Sequence, residues 1–183
     1  MTTFDFGDGK GPVSAYQHVN GGGWIADTAT VADTACIGPN AKVYGNAMVS
    51  DNAMVSDNAR VSGDARVFDN ARVSGYAMVS GNAKVFGDAR VYGDARVYGN
   101  ALVSGDADVF GSAKVFDNAR VFGDALVSGY ARVYGNAKVY GNARVSDSAM
   151  VSDTAMVSGD ARVSGNADVS GYARVFGTAR MTE

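Results

Sequence analysis

The chain has 183 residues, with 16 basic and 19 acidic side chains and a net charge of −3, a balance that argues against a nucleic-acid binder by bulk electrostatics. Its single cysteine, Cys36, excludes an internal disulfide framework, and no apolar run is long enough to span a membrane. Val and Ala dominate the apolar residues, Leu occurs only at Leu102 and Leu126, and there are 24 glycines, so the chain requires a narrow core that small side chains can fill.

Residues 1–23 do not repeat. Gly7, Gly9, Gly11 and the run Gly21-Gly22-Gly23 give this segment a loop-like character and the place of a cap. Phe4, Phe6 and Trp24 are expected to cover the open N-terminal end of the core. The first ten residues carry Asp5 and Asp8 and no basic, apolar signal sequence, which sets a cytoplasmic expectation.

Residues 24–183 are periodic. From Ile25 every sixth residue is Val, except for Ile25, Ile37 and Met181 themselves, and from Ala29 to Ala179 every sixth residue is Ala without exception. A helix needs apolar residues at 3.6-residue spacing, and collagen needs Gly at every third position; neither fits. Within each unit Ala-x-Val-x alternates in and out as a strand does. The Gly-Asn, Gly-Asp or Asp-Asn pair that follows is turn chemistry. Each unit is therefore a short strand and a corner, with Ala inward near the corner and Val inward along the flat. One unit cannot bury its own apolar face, so coils must stack.

The aliphatic positions Val43, Val49 and Val55, the small residues Ala47, Ala53 and Ala59, and the unit Ile37-Gly38-Pro39-Asn40-Ala41 carry a resemblance. On them the chain resembles the hexapeptide-repeat proteins of the left-handed parallel β-helix family. The resemblance implies an all-β, single-stranded, left-handed triangular solenoid with three units, or 18 residues, per coil and about nine coils, a rod of roughly 40 Å. It also implies a homo-oligomer, with a trimer favoured. The junction Gly21-Gly22-Gly23-Trp24-Ile25-Ala26, followed by Asn-Ala-Arg-Val repeats, looks like bacterial and phage or prophage hexapeptide-repeat proteins, which adds a virion-associated setting to the cytoplasmic one. The closing residues Arg180 to Glu183 offer almost no cap, so that end is expected to be covered by a partner or another copy.

With 18 residues per coil, residues 18 apart stack into columns. Asn82, Asn100, Asn118 and Asn136 form one corner column suited to an amide ladder. Asp88, Asp106 and Asp124 form another; a cation bridging them is one reading, and neutralisation by the following Arg, as in Asp88-Ala89-Arg90, is the better one. Outward aromatics also line up. Tyr98, Phe116 and Tyr134 are consecutive beside Arg96, Lys114 and Arg132, and Tyr92 adjoins Phe110 on another side. Two readings stand for these eight residues: self-stacking that stabilises a sheet face, or a contact surface.

Little in the chain points to chemistry. Many relatives in the resembled family are acyltransferases that use a His base. Here the only His, His18, lies outside the repeats and reads as a surface or capping residue. Cys36 has no base nearby, the serines lack a triad, and no phosphate loop is present. No catalytic residue, metal site or cofactor is assigned. The expectation is a non-enzymatic structural or binding solenoid that presents aromatic and Arg columns to a protein, a glycan, a small anionic ligand or its own copies, with no membrane and no nucleic acid. An acyltransferase-like enzyme and a small-ligand-sequestering oligomer are the alternatives.

Overall fold

A computed structural model describes residues 2–182; Met1 and Glu183, the outer bounds of the two predicted segments, lie outside them. The units form short strands, mostly of two residues, that assemble into three sheets. The first face runs from Trp24–Ala26 through Lys42–Val43 and Arg96–Val97 to Asp168–Val169. The second runs from Thr30–Val31 to Arg174–Val175, and the third from Cys36–Ile37 to Arg180–Thr182. Every pairing between coils is parallel and joins residues 18 apart, such as Arg96↔Lys114 and Lys114↔Arg132. The result is the expected parallel β-solenoid of about nine turns, and no helix occurs among the described residues.

The inward residues behave as the period requires. Each Val and Ala from Ala41 to Val163 is fully buried in one continuous core. At roughly 25 cal/mol per Å2 of apolar surface, the burial of each Val outweighs much of the ordering cost of its two-residue strand. The last coil is open. Ala173 and Ala179 are exposed, and Val175 is still buried.

The corners turn in the left-handed region. Gly fills most of them, for example Gly45 at φ 71° and Gly99 at φ 71°. Six corners carry Asp instead, Asp51, Asp57, Asp69, Asp117, Asp147 and Asp153, at φ between 56° and 60°. A Cβ on Gly45 would stand 2.9 Å from the Gly63 nitrogen, so the stacked corners are close-packed backbone.

The N-terminal segment extends the first face. Thr3–Phe4 pairs antiparallel with Val13–Gln17, which pairs antiparallel with Trp24–Ala26. Phe4, Phe6 and Trp24 consequently do not lie over the end of the core. Trp24 occupies the outward column of Lys42, where Phe4 stacks on it at 4.3 Å and Phe6 stacks on Tyr44 at 5.1 Å. These rings form a second, separate cluster on the outside of the first face. At the third face, the Asn20 carbonyl accepts from the Ile37 N–H, Gly23 N–H donates to the Ile37 carbonyl, and Asn20 Nδ2 donates to the Ala35 carbonyl.

Candidate binding faces

Charge is sorted by position. All of the sixteen lysines and arginines except Lys10 stand on a flat, in the outward column that follows the inward Ala. Among the described residues of the repeats, only Asp108 and Asp168 place an acid there; the other described carboxylates sit at corners. A net charge near zero thus conceals cationic flats edged by acidic corners.

The first face holds six of the eight expected site residues. Arg96, Lys114 and Arg132 follow one another on adjacent strands. Beside them Tyr98, Phe116 and Tyr134 form a ladder with centroids 4.9 Å apart and planes within 2° of parallel. The rings are half-buried and turn their faces to each other, so their edges and the tyrosine hydroxyls face outward. Burial raises the Tyr98 pKa; Asp117 adds to this, and Arg132 and Arg96 oppose it. The hydroxyl therefore remains a hydrogen-bond donor. Tyr76 and Tyr130, at the corner on the other side of the cations, are 66% and 71% exposed. They complete shallow grooves with Met78, Asp94, Ser112 and the three cations.

Tyr92 and Phe110, the other two, stand apart on the third face, stacked at 4.9 Å. Their neighbours are Arg90 and its register partner Asp108. Two more ladders, Phe68–Phe86 at 4.8 Å and Phe122–Tyr140 at 5.0 Å, occupy the second face.

The corner columns differ from expectation. Asn100 Nδ2 donates to Asn118 Oδ1 at 3.2 Å, one amide link in the expected ladder. Asp88 accepts a hydrogen bond from Asn70 Nδ2 at 3.1 Å, and Arg90 has Asp108 as its register partner on the next coil. Asn46 to Asp64 and Asn142 to Asp160 repeat the amide-to-carboxylate link at 3.1 and 3.0 Å. Among the described residues no three His, Cys, Asp or Glu side chains converge as a metal site requires.

His18 is only 4% exposed, in the N-terminal segment, with Nδ1 3.1 Å from the Asn20 carbonyl oxygen and Nε2 buried without a partner. Cys36 is half-buried in the outward column of the third face, level with Met54.

The chain is a β-solenoid repeat protein. Residues 41–57, 49–63, 65–81, 89–105, 95–109 and 137–153 match the family described as YdcK beta solenoid repeat. No curated protein matches the chain. The matched segments all fall in the periodic part of the solenoid, whose outward columns vary while its inward ones do not.

Proposed function

We propose that the solenoid is a non-enzymatic binding rod whose first face holds a single, narrow, anionic polysaccharide chain along the rod axis. The observation that carries this is the run Arg96, Lys114, Arg132, three cations at successive strand spacings with Asp94 and Asp117 at the corners on either side. Three like charges this close repel one another unless an anion lies over them. Asp94 and Asp117, one carboxylate on each side, disfavour an anion that spreads beyond the flat. Tyr98, Tyr134 and Ser112 supply hydroxyls for sugar hydrogen bonds. Single-stranded nucleic acid is less suited, because it needs open aromatic faces for base stacking and the ladder has used most of its own.

Binding to polygalacturonate and heparin, followed by isothermal calorimetry at several salt concentrations, tests the reading. Affinity should fall as salt rises. It should fall by about tenfold or more in the combined Arg96→Gln, Lys114→Gln, Arg132→Gln variant. No binding to either polymer, equal binding by the triple variant, or tighter binding to a single-stranded oligonucleotide would each refute it.

A further inference from the structure

The second face carries a pattern that the other two lack. Its outward pairs run apolar–Ser, Arg–aromatic, Lys–aromatic and then begin again, so that Ser50, Ser104 and Ser158 recur at every third coil. The consequence is an interrupted ladder. Phe68 and Phe86 stack as one pair and Phe122 and Tyr140 as the next, with Ser104 between the pairs. Phe86 and Phe122 are two coils apart, about 9.6 Å at the strand spacing. That is twice the rung spacing, and the space between them is that of one ring.

The surroundings of this slot are asymmetric. Its floor, Ser104, is 8% exposed. On one side Leu102 interrupts the cation column and is the register partner of both Lys84 and Arg120. On the other side the corner column carries Asp88, Asp106 and Asp124. An anion at the level of Ser104 is drawn toward Lys84 and Arg120 and repelled from Asp106.

We propose that the slot between Phe86 and Phe122 binds a flat aromatic ring bearing an anionic group. The ring takes the place of the missing rung above Ser104, and the anion lies over Leu102 between Lys84 and Arg120. Stacking on both faces is available because neither facing wall has an aromatic partner on that side. The ladder on the first face offers no equivalent, since its gap between Tyr44 and Tyr98 is two rungs wide. A second slot at Ser158 lies between Tyr140 and Phe176, but Phe176 is 69% exposed on the last coil and makes a weaker wall. The site is on a different face from Arg96, Lys114 and Arg132, so it stands or falls independently of the polysaccharide reading.

Fluorescence titration with 8-anilinonaphthalene-1-sulfonate, an anionic ring probe, tests the site. Wild type should bind it saturably. Ser104→Phe fills the slot with a side chain and should weaken binding about tenfold or more while raising the unfolding temperature. The combined Lys84→Gln, Arg120→Gln variant should weaken it about tenfold. Tyr172→Ser, at an exposed corner of the last turns and in neither site, should bind as wild type does. If Ser104→Phe fails to fold by circular dichroism, Phe86→Ala takes its place, because it removes one wall. Wild-type affinity in whichever of these two variants folds overturns the proposal, as does the absence of saturable binding by wild type or stronger binding of the cationic dye thioflavin T.

Discussion

Asp57 Oδ2 accepts a hydrogen bond from the Gly75 backbone N–H at 3.0 Å, from one coil to the next. All six corner aspartates with left-handed backbone do the same. Asp51 reaches Asp69, Asp69 reaches Gly87, Asp117 reaches Gly135, Asp147 reaches Gly165 and Asp153 reaches Gly171, at 2.9 to 3.3 Å. A left-handed backbone costs a residue with a Cβ about 1–2 kcal/mol. At these corners a charge-assisted hydrogen bond to the neighbouring coil offsets it.

This relationship ranks substitutions at one corner. Asp57→Gly loses the hydrogen bond and also the strain, so its unfolding temperature should fall little. Asp57→Ala keeps the strain without the bond and should lose about 2 kcal/mol. The reverse pair should behave alike: Gly75→Asp close to wild type, because its carboxylate meets the Gly93 N–H, and Gly75→Ala clearly destabilised. Thermal melts in which Asp57→Ala matched wild type would remove the ladder as a source of stability, and a match between Asp57→Ala and Asp57→Gly would remove the strain.

The core sets a second expectation. Val97 and Ala95 are both fully buried on the first face. Val97→Ala deletes two methyl groups from a coil whose neighbours are held in register above and below, so the cavity cannot collapse. A loss of roughly 2–3 kcal/mol follows. Ala95→Leu should be at least as harmful, because the corner has no room for the added volume. Urea titration measures both, and tolerance of Ala95→Leu would show that the corners are looser than their burial implies.

The inward and outward columns of each six-residue unit are legible in the sequence because a strict period leaves one way to bury Val and Ala together, whereas the three faces and the 18-residue coil come from the resemblance to hexapeptide-repeat proteins. What the period did not encode was misread or missed. The aromatic cluster of Phe4, Phe6 and Trp24 lies outside the first face because an antiparallel hairpin puts it there, and such pairing has no six-residue signature. Asp and Gly are synonyms as turn residues, so the Asp-to-backbone ladder was hidden until stacking placed each carboxylate beside the next coil's N–H. Arg90 follows Asp88 in the chain, and stacking adds its register partner Asp108 as a second carboxylate neighbour that chain order does not show. Six of the eight site residues do fall together, since columns follow directly from 18 residues per coil; the charge sorting that gives them a partner class was readable there too.

Asp108 gives a pH expectation. Burial raises its carboxyl pKa, and Arg90 only partly opposes this. The folded chain therefore holds the proton more firmly than the unfolded chain, whose carboxyl titrates near 3.8. Stability attributable to this group falls as pH rises through the interval between that value and the raised one. At neutral pH the ionised, half-buried carboxylate is a net cost. Asp108→Asn should raise stability at pH 7 by less than about 1 kcal/mol, and the gain should vanish once the pH drops below the unfolded value. A gain that persisted unchanged in acid would assign the effect to packing instead of charge.

The aromatic ladder on the first face allows its two roles to be separated. Phe116 has a stacked ring on both sides, whereas Tyr98 and Tyr134 have one each. If stacking stabilises the sheet, Phe116→Ser should lose about twice as much as Tyr98→Ser, on the order of 1–3 kcal/mol. Double-mutant cycles should show coupling between Phe116 and each neighbour and none between Tyr98 and Tyr134. If the ladder also contacts a partner, replacing all three with Ser should weaken polysaccharide binding while the β circular dichroism persists, since the Val and Ala columns behind them are untouched. Coupling without any change in binding would make the ladder purely a brace for the face, and the cations beside it would then hold the polymer alone.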